Sequence, residues 1–239
     1  LTASFNPQEV LEFGKIASRE YRALGIATAL SPQIDLSTEP RWMRFADTFG
    51  EHTRLAVDMT KAYCDGFQTT EGSADGWGEE SVNTMVKHFP GGGPCEGGRD
   101  AHYAYGKYAV YPGGNFEEHL RPFSEGAFAL EGGTQSASAV MPYYTISYGQ
   151  DKENGENVGN SFSRYLIGNL LREQLGYDGV VCTDWGITHN TGKTEEEFAG
   201  KCWGVEELTI EERHLKALEA GVDQFGGNND IKPVLEAYR

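Results

Sequence analysis

The run Val86-Lys87-His88-Phe89-Pro90-Gly91-Gly92-Gly93 decides the fold, because an apolar stretch beginning at Val82 ends abruptly in a lysine and a histidine. A run this short, closed by Pro and Gly, reads as a buried strand whose last residues emerge from a core. A second run, Gly179-Val180-Val181-Cys182-Thr183, ends the same way in Asp184-Trp185. In both, side chains able to bind or attack a ligand stand where a strand leaves the interior. The triple glycine is not read as a phosphate cradle, since no helix with a free N-terminus opens behind it.

Outward from these runs the chain alternates. Asn6-Pro7-Gln8-Glu9 offers an N-cap, a proline at the first helical position and a glutamate three residues after the cap. Val10, Leu11, Ile16, Ala17, Tyr21 and Leu24 follow at helical spacing, and Gly25 closes the segment. The pattern then predicts a strand over 26–36, a helix near 51–67, the strand at 82–89 and a broken helix containing Pro122. Further on it predicts a strand over 137–146, a helix over 161–175 with Leu166, Ile167, Leu170 and Leu171 on one side, and the strand at 179–183. A second capping box, Thr209-Ile210-Glu211-Glu212, opens a helix to Gly221, and Val222–Phe225 reads as a last strand.

Helices alternating with continuous apolar strands imply a parallel sheet covered on both faces. Asp35, Lys87, His88, Met141, Tyr144, Asp184, Asn228 and Asn229 all fall at downstream strand ends. In a barrel of parallel strands those ends share one rim, where active sites are built. The fold expected is α/β, a (β/α)8 TIM-type barrel represented by about its last five or six strands. The first strands are expected to lie upstream of Leu1.

Composition narrows the function. The 239 residues carry 20 Lys and Arg against 36 Asp and Glu, a formal charge of −16, which opposes a nucleic-acid or anionic-membrane partner. A neutral ligand such as a sugar is easier to reconcile. No apolar run approaches the roughly 20 residues that span a bilayer. Cys64, Cys95, Cys182 and Cys202 show no paired spacing, which argues against a zinc site. They read as free thiols, with a Cys95–Cys202 bridge left open.

Val86-Lys87-His88-Phe89-Pro90-Gly91 and Thr183-Asp184-Trp185 resemble the KHFPG and SDW signatures of glycoside hydrolase family 3, with Thr183 in place of Ser. The resemblance runs from Ala3-Ser4-Phe5-Asn6-Pro7 to Ala220-Gly221-Val222-Asp223-Gln224-Phe225, nearly the whole chain. It implies that Asp184 is the nucleophile of a retaining, exo-acting β-glucosidase. Such an enzyme needs an ionised carboxylate to trap an oxocarbenium-like centre, with a carboxylic acid about 5 Å away. The plain alternative, that Asp184 caps a helix, is weak because residues after it do not begin one.

Further residues follow from the resemblance. Lys87 and His88 match a pair that hydrogen-bonds sugar hydroxyls, and donors fixed on a strand end suit that task. Pro40-Arg41-Trp42-Met43-Arg44 resembles PRWGR, with Met43 replacing Gly, so Arg44 is implied to bind substrate; pairing with Asp47 or Glu51 is the bland alternative. Gly97-Gly98-Arg99-Asp100 resembles GGRD and implies that Arg99 reaches the site. Met141 and Tyr144 match M-x-x-Y, with Tyr144 beside the nucleophile, though both also suit a core. Trp185 is implied as a platform for a sugar face, or is a large core residue. Asp35 is implied to be scaffold.

The general acid is the open position. In most of the family it is a glutamate from a second α/β domain, and a smaller branch uses an in-barrel Asp-x-His pair, of which Asp100-Ala101-His102 has the form. Gly93 stands where that branch carries a histidine. Residues 1–239 are therefore expected to form one incomplete barrel domain, with a following α/β sandwich domain outside the chain that supplies the acid. No metal or organic cofactor is implied. The substrate expected is a β-linked oligosaccharide or glycoside, with glucose and xylose both open. The setting expected is secreted or periplasmic rather than cytoplasmic. Two rivals remain: a β-N-acetylglucosaminidase using Asp100 and His102, and a non-catalytic sugar-binding barrel.

Overall fold

A computed structural model describes residues 1–238. Its centre is a parallel sheet of four strands: β1 (Thr28–Ala29), β2 (Asn83–Phe89), β4 (Ala139–Pro142) and β6 (Val180–Val181), in the spatial order β1-β2-β4-β6. A parallel bridge from Cys182 to Gln224 extends the array by one more segment. Two short strands, β3 (Tyr108–Ala109) and β5 (Ile146–Ser147), pair with each other alongside. Strand order follows chain order, as expected when each strand is followed by a helical return.

Side chains on both faces of the sheet are buried. Val86, Val140 and Val181 point into the main core. Met85, Ala139, Met141 and Cys182 form a separate buried cluster, consistent with alternation of side chains along each strand. The helices Pro7–Ala23 and Thr53–Gln68 lie side by side, and Gly14 and Gly66 allow their closest approach. A methyl group on either glycine would meet the other's backbone at 2.9 Å. Asn6 caps the first helix by accepting from the Gln8 amide, and Thr209 with Glu212 closes a full capping box on the helix Ile210–Ala220.

The upstream end of the sheet is sealed by one buried amide. Gln68 Oε1 accepts from Thr84 N (3.1 Å), Thr84 Oγ1 (2.6 Å) and Ser138 N (3.0 Å). Its Nε2 donates to Thr134 Oγ1 (3.1 Å) and the Ser136 carbonyl (2.9 Å). The side chain thus ties the end of the helix Thr53–Gln68 to the starts of β2 and β4.

Several elements are shorter than their pattern predicts. The strand expected over 26–36 pairs only at Thr28–Ala29, with an isolated bridge from Gln33 to Lys87 beyond Pro32, which has no N–H for the ladder. The strand expected over 137–146 stops at Pro142, and Ile146 joins the other sheet. The helix expected over 161–175 becomes a short turn at Asn160–Phe162 and a wide, π-type helix over Tyr165–Gln174, yet Leu166, Ile167, Leu170 and Leu171 are buried as expected. The strand expected at Val222–Phe225 is reduced to the single bridge at Gln224. All four cysteines are buried free thiols. Among the described residues, no helix is long and apolar enough to cross a membrane.

Candidate functional site

The downstream ends of β2, β4 and β6 open into a cavity of about 730 Å³. Register brings its parts together: Lys87 pairs with Met141 across β2 and β4, and the ladder slips between Lys87 and Phe89. Lys87, His88, Met141, Tyr144, Asp184 and Trp185 line the cavity, and Arg44 and His102 join them. The Lys87–His88 and Phe89–Pro90 peptides are cis.

Asp35 and Asp100 stand behind this surface as anchors. Asp35 is fully buried, and its Oδ2 accepts from the His88 amide (3.1 Å) and His88 Nδ1 (3.1 Å), while Oδ1 accepts from Gly92 N (2.5 Å). Burial alone would raise the Asp35 pKa; the His88 ring, the Gly92 amide and the nearby Arg44 charge outweigh it and hold the carboxyl below its usual range. Burial in turn lowers the His88 pKa and keeps the ring neutral. Arg44 Nη1 lies 3.2 Å from His88 Nε2. A guanidinium only donates, so Nε2 must accept, and the ring proton sits on Nδ1, facing Asp35.

Arg44 also donates from Nη2 to Gln33 Oε1 at 3.0 Å. It is thus held by the site itself rather than by Asp47 or Glu51. Met43, where the resembling motif has glycine, is exposed and has no left-handed backbone. Lys87 is half-buried, and burial followed by the Arg44 charge lowers its pKa.

Asp184 differs from both anchors. Its Oδ1 accepts from the Trp185 amide at 2.8 Å, but among the described residues its buried Oδ2 has no hydrogen-bond partner. The nearest imidazole nitrogen, His88 Nε2, is 3.9 Å away. No helix follows Asp184; residues 185–188 form turns, so capping does not explain it. Thr183 fixes the backbone instead, with Oγ1 donating to the Asp184 carbonyl and accepting from Gly226 N, both at 2.9 Å. The Tyr144 hydroxyl accepts from Trp185 N at 3.1 Å. Burial, with the charge of Asp184, pushes the Tyr144 phenol far above its ordinary range, so it remains a proton donor.

Asp100 takes Trp42 Nε1 (3.1 Å) and Tyr143 Oη (3.2 Å) on Oδ2, and the His102 amide (3.0 Å) and His102 Nδ1 on Oδ1. Burial would raise its pKa, but these donors, His102 foremost, bring it to about 2. His102 alone of the pair faces the cavity. Among the described residues that line the cavity, Asp184 is the one carboxylate.

Arg99 departs from the expectation. It is exposed and does not line the cavity, because Gly97 and Gly98, both with positive φ, turn the chain so that Asp100 points inward. The glycines after Pro90 serve packing: a side chain at 92 would strike the Tyr143 ring, and one at 93 the Leu36 carbonyl. A histidine at 93 has no room. Asn228 and Asn229 lie outside this cavity, and Asn228 donates to Thr188 Oγ1 at 3.3 Å. Composition and spacing missed Lys201 and Phe198, which complete the cavity wall. The one signal for Lys201 is its place between Gly200 and the apolar Cys202-Trp203.

A parallel α/β sheet with a polar, ligand-sized cleft at the downstream strand ends defines the class of protein. Within it, the profile of the glycosyl hydrolase family 3 N terminal domain matches residues 1–230, and the chain belongs to that family. It is 45% identical over 239 residues to Beta-glucosidase C of Emericella nidulans, covering 100% of this chain and 37% of that protein. It is 42% identical over 250 residues to the Periplasmic beta-glucosidase/beta-xylosidase of Dickeya chrysanthemi, again covering 100% and 37%. Among solved structures, a β-glucosidase from Erythrobacter marinus superposes with a TM-score of 0.73 at 25% identity, covering 98% of this chain and 27% of that one. The β-glucosidase of Listeria innocua shares the fold, with a TM-score of 0.70 at 23% identity over 94% of this chain and 27% of that one. The chain thus spans about a third of the length of the curated relatives it matches.

Proposed function

We propose that this chain carries the nucleophile and sugar-binding face of a retaining, exo-acting β-glucosidase. The observation that carries the reading is Asp184 Oδ2, a buried carboxylate oxygen without a partner at the rim of the cavity. A buried carboxylate oxygen without a hydrogen bond costs stability, and a site that retains one is using it. Asp184 attacks the anomeric carbon, a bond forms between them, and the glycosidic C–O bond breaks as an acid protonates the departing oxygen. Water, losing its proton to the same acid–base group, then cleaves the glycosyl ester and restores Asp184 with the original anomeric configuration. Arg44, Lys87, His88 and Tyr144 hold the terminal sugar, Met141 packs beneath it, and Trp185 offers a ring face.

We assign residues 1–239 to a (β/α)8 TIM-type barrel, on the strength of the chain-order parallel strands and a site confined to their downstream ends. The remaining strands, and an α/β sandwich domain that supplies the general acid, then belong to other parts of the protein. The length of the relatives and the single lining carboxylate support this. A secreted or periplasmic setting fits the periplasmic relative. A second reading makes His102, backed by Asp100, the acid, because His102 opens to the cavity.

The test is hydrolysis of an aryl β-glucoside by the longest available form of the protein. Asp184→Gly is expected to lose at least about a thousandfold in turnover. Azide should then rescue it and give a glucosyl azide of inverted configuration. Unchanged turnover in Asp184→Gly would sink the assignment. Loss of turnover in His102→Ala for poor leaving groups, but not for good ones, would favour the second reading.

A further inference from the structure

The segment from Gly186 to Trp203 has no role in the chemistry above, yet it builds one wall of the cavity. Lys201 lies on it, only 5% exposed. Its Nζ sits 3.8 Å from the centroid of the Phe198 ring and 5.6 Å from that of Tyr144. Among the described residues, no oxygen accepts a hydrogen bond from this ammonium. Burial lowers its pKa while the charge of Asp184 opposes the shift. Lys201 lines the cavity, so its donors are open to a ligand that fills it.

Phe198 is 66% exposed, so burial does not account for its position. Its ring lies over the Lys201 ammonium, and the His102 ring stacks on it with centroids 5.9 Å apart. The wall is braced before any ligand arrives. Lys201 N donates to the Gly186 carbonyl (3.1 Å) and Gly200 N to that of Asn190 (3.0 Å). Buried Arg213 donates to the Thr188 carbonyl (3.1 Å), Asn190 Oδ1 (2.8 Å) and the Val205 carbonyl (3.1 Å). Trp203 Nε1 ties the segment to the Ala101 carbonyl at 2.9 Å. A donor held this firmly loses little entropy on binding.

We propose that Lys201 binds the second sugar of the substrate, donating hydrogen bonds to its hydroxyls, with Phe198 as the apolar face beside it. The assignment rests on the glycosidase reading. Arg44, Lys87 and His88 take the inner sugar at the strand ends, whereas exposed Phe198 and Trp185 mark the mouth through which the rest of an exo-cleaved chain must project. An aryl aglycone can use the rings there but offers no hydroxyl to the lysine.

The experiment compares kcat/KM for cellobiose and laminaribiose with kcat/KM for a nitrophenyl β-glucoside, in the longest available form of the protein. Lys201→Met keeps the stem under Phe198 and removes the charge. The disaccharide-to-aryl ratio is expected to fall by about tenfold or more, chiefly through KM, and Lys201→Arg to recover part of it. A ratio that stays constant, whether both activities hold or fall together, overturns the proposal. Should Lys201→Met fail to fold, Phe198→Ala, at an exposed position, must lower the same ratio, and a constant ratio there overturns it too. Wild-type protein that neither hydrolyses these substrates nor binds glucose would instead overturn the glycosidase reading, and this assignment with it.

Discussion

The two ends of the central sheet are built on opposite terms. At the upstream end Gln68 spends its whole amide, accepting from Thr84 and Ser138 and donating toward Thr134 and Ser136. At the downstream end, among the described residues, Asp184 Oδ2 has no hydrogen-bond partner and no oxygen accepts from the Lys201 ammonium. Polar groups saturated by the protein hold it together; polar groups left open are held for something else. Asp35 and Asp100 show that burial of a carboxylate does not by itself mark chemistry. Both are at this same end and both are filled with donors, which makes them anchors for His88 and His102.

The contrast breaks first, if it breaks at all, on a pair of substitutions. Gln68→Leu strands several buried amides and hydroxyls and is expected to cost about 3 kcal/mol of stability. Asp184→Asn replaces a carboxylate whose Oδ2 accepts no hydrogen bond and is expected to change stability by less than about 1 kcal/mol, while activity collapses. Chemical denaturation of the two variants measures both. A Gln68 variant as stable as wild type, or an Asp184 variant that unfolds as readily as the Gln68 one, would erase the distinction between the ends.

A smaller effect sharpens it through pH. Asp100 has a folded pKa of about 2, below its unfolded value, so its carboxylate stabilises the fold above about pH 4. That contribution is lost as pH falls from about 4 toward 2, where the folded state must take up the proton. Asp100→Asn is therefore expected to flatten the decline of the unfolding midpoint across this window. An unchanged slope would show that Asp100 is not the saturated anchor its four donors make it.

What was legible in the sequence was whatever is local. The capping boxes at Asn6 and Thr209, the apolar runs of β2 and β6, and the residues that close them declare themselves within a few positions. The nucleophile candidate and the Arg44, Lys87, His88 set came from motif resemblance, and all four line one cavity. The strands are shorter than their apolar runs because hydrophobicity does not register where a proline removes a ladder donor, as at Pro32 and Pro142. Arg99 does not line the cavity, and the direction of its side chain depends on two left-handed glycines before it, which no local pattern declares. Lys201 and Gln68 stayed hidden because their roles exist only across long separations. Gln68 meets Ser138, and Lys201 meets Tyr144, through folding alone.

The most direct measurement is covalent trapping. The protein is incubated with an activated 2-deoxy-2-fluoro-β-glucoside, digested and mapped by mass spectrometry. A single glycosyl adduct on Asp184, absent from Asp184→Asn, is the expected result. An adduct on any other carboxylate, or glycoside turnover with no adduct at all, would contradict the assignment of Asp184 as the nucleophile.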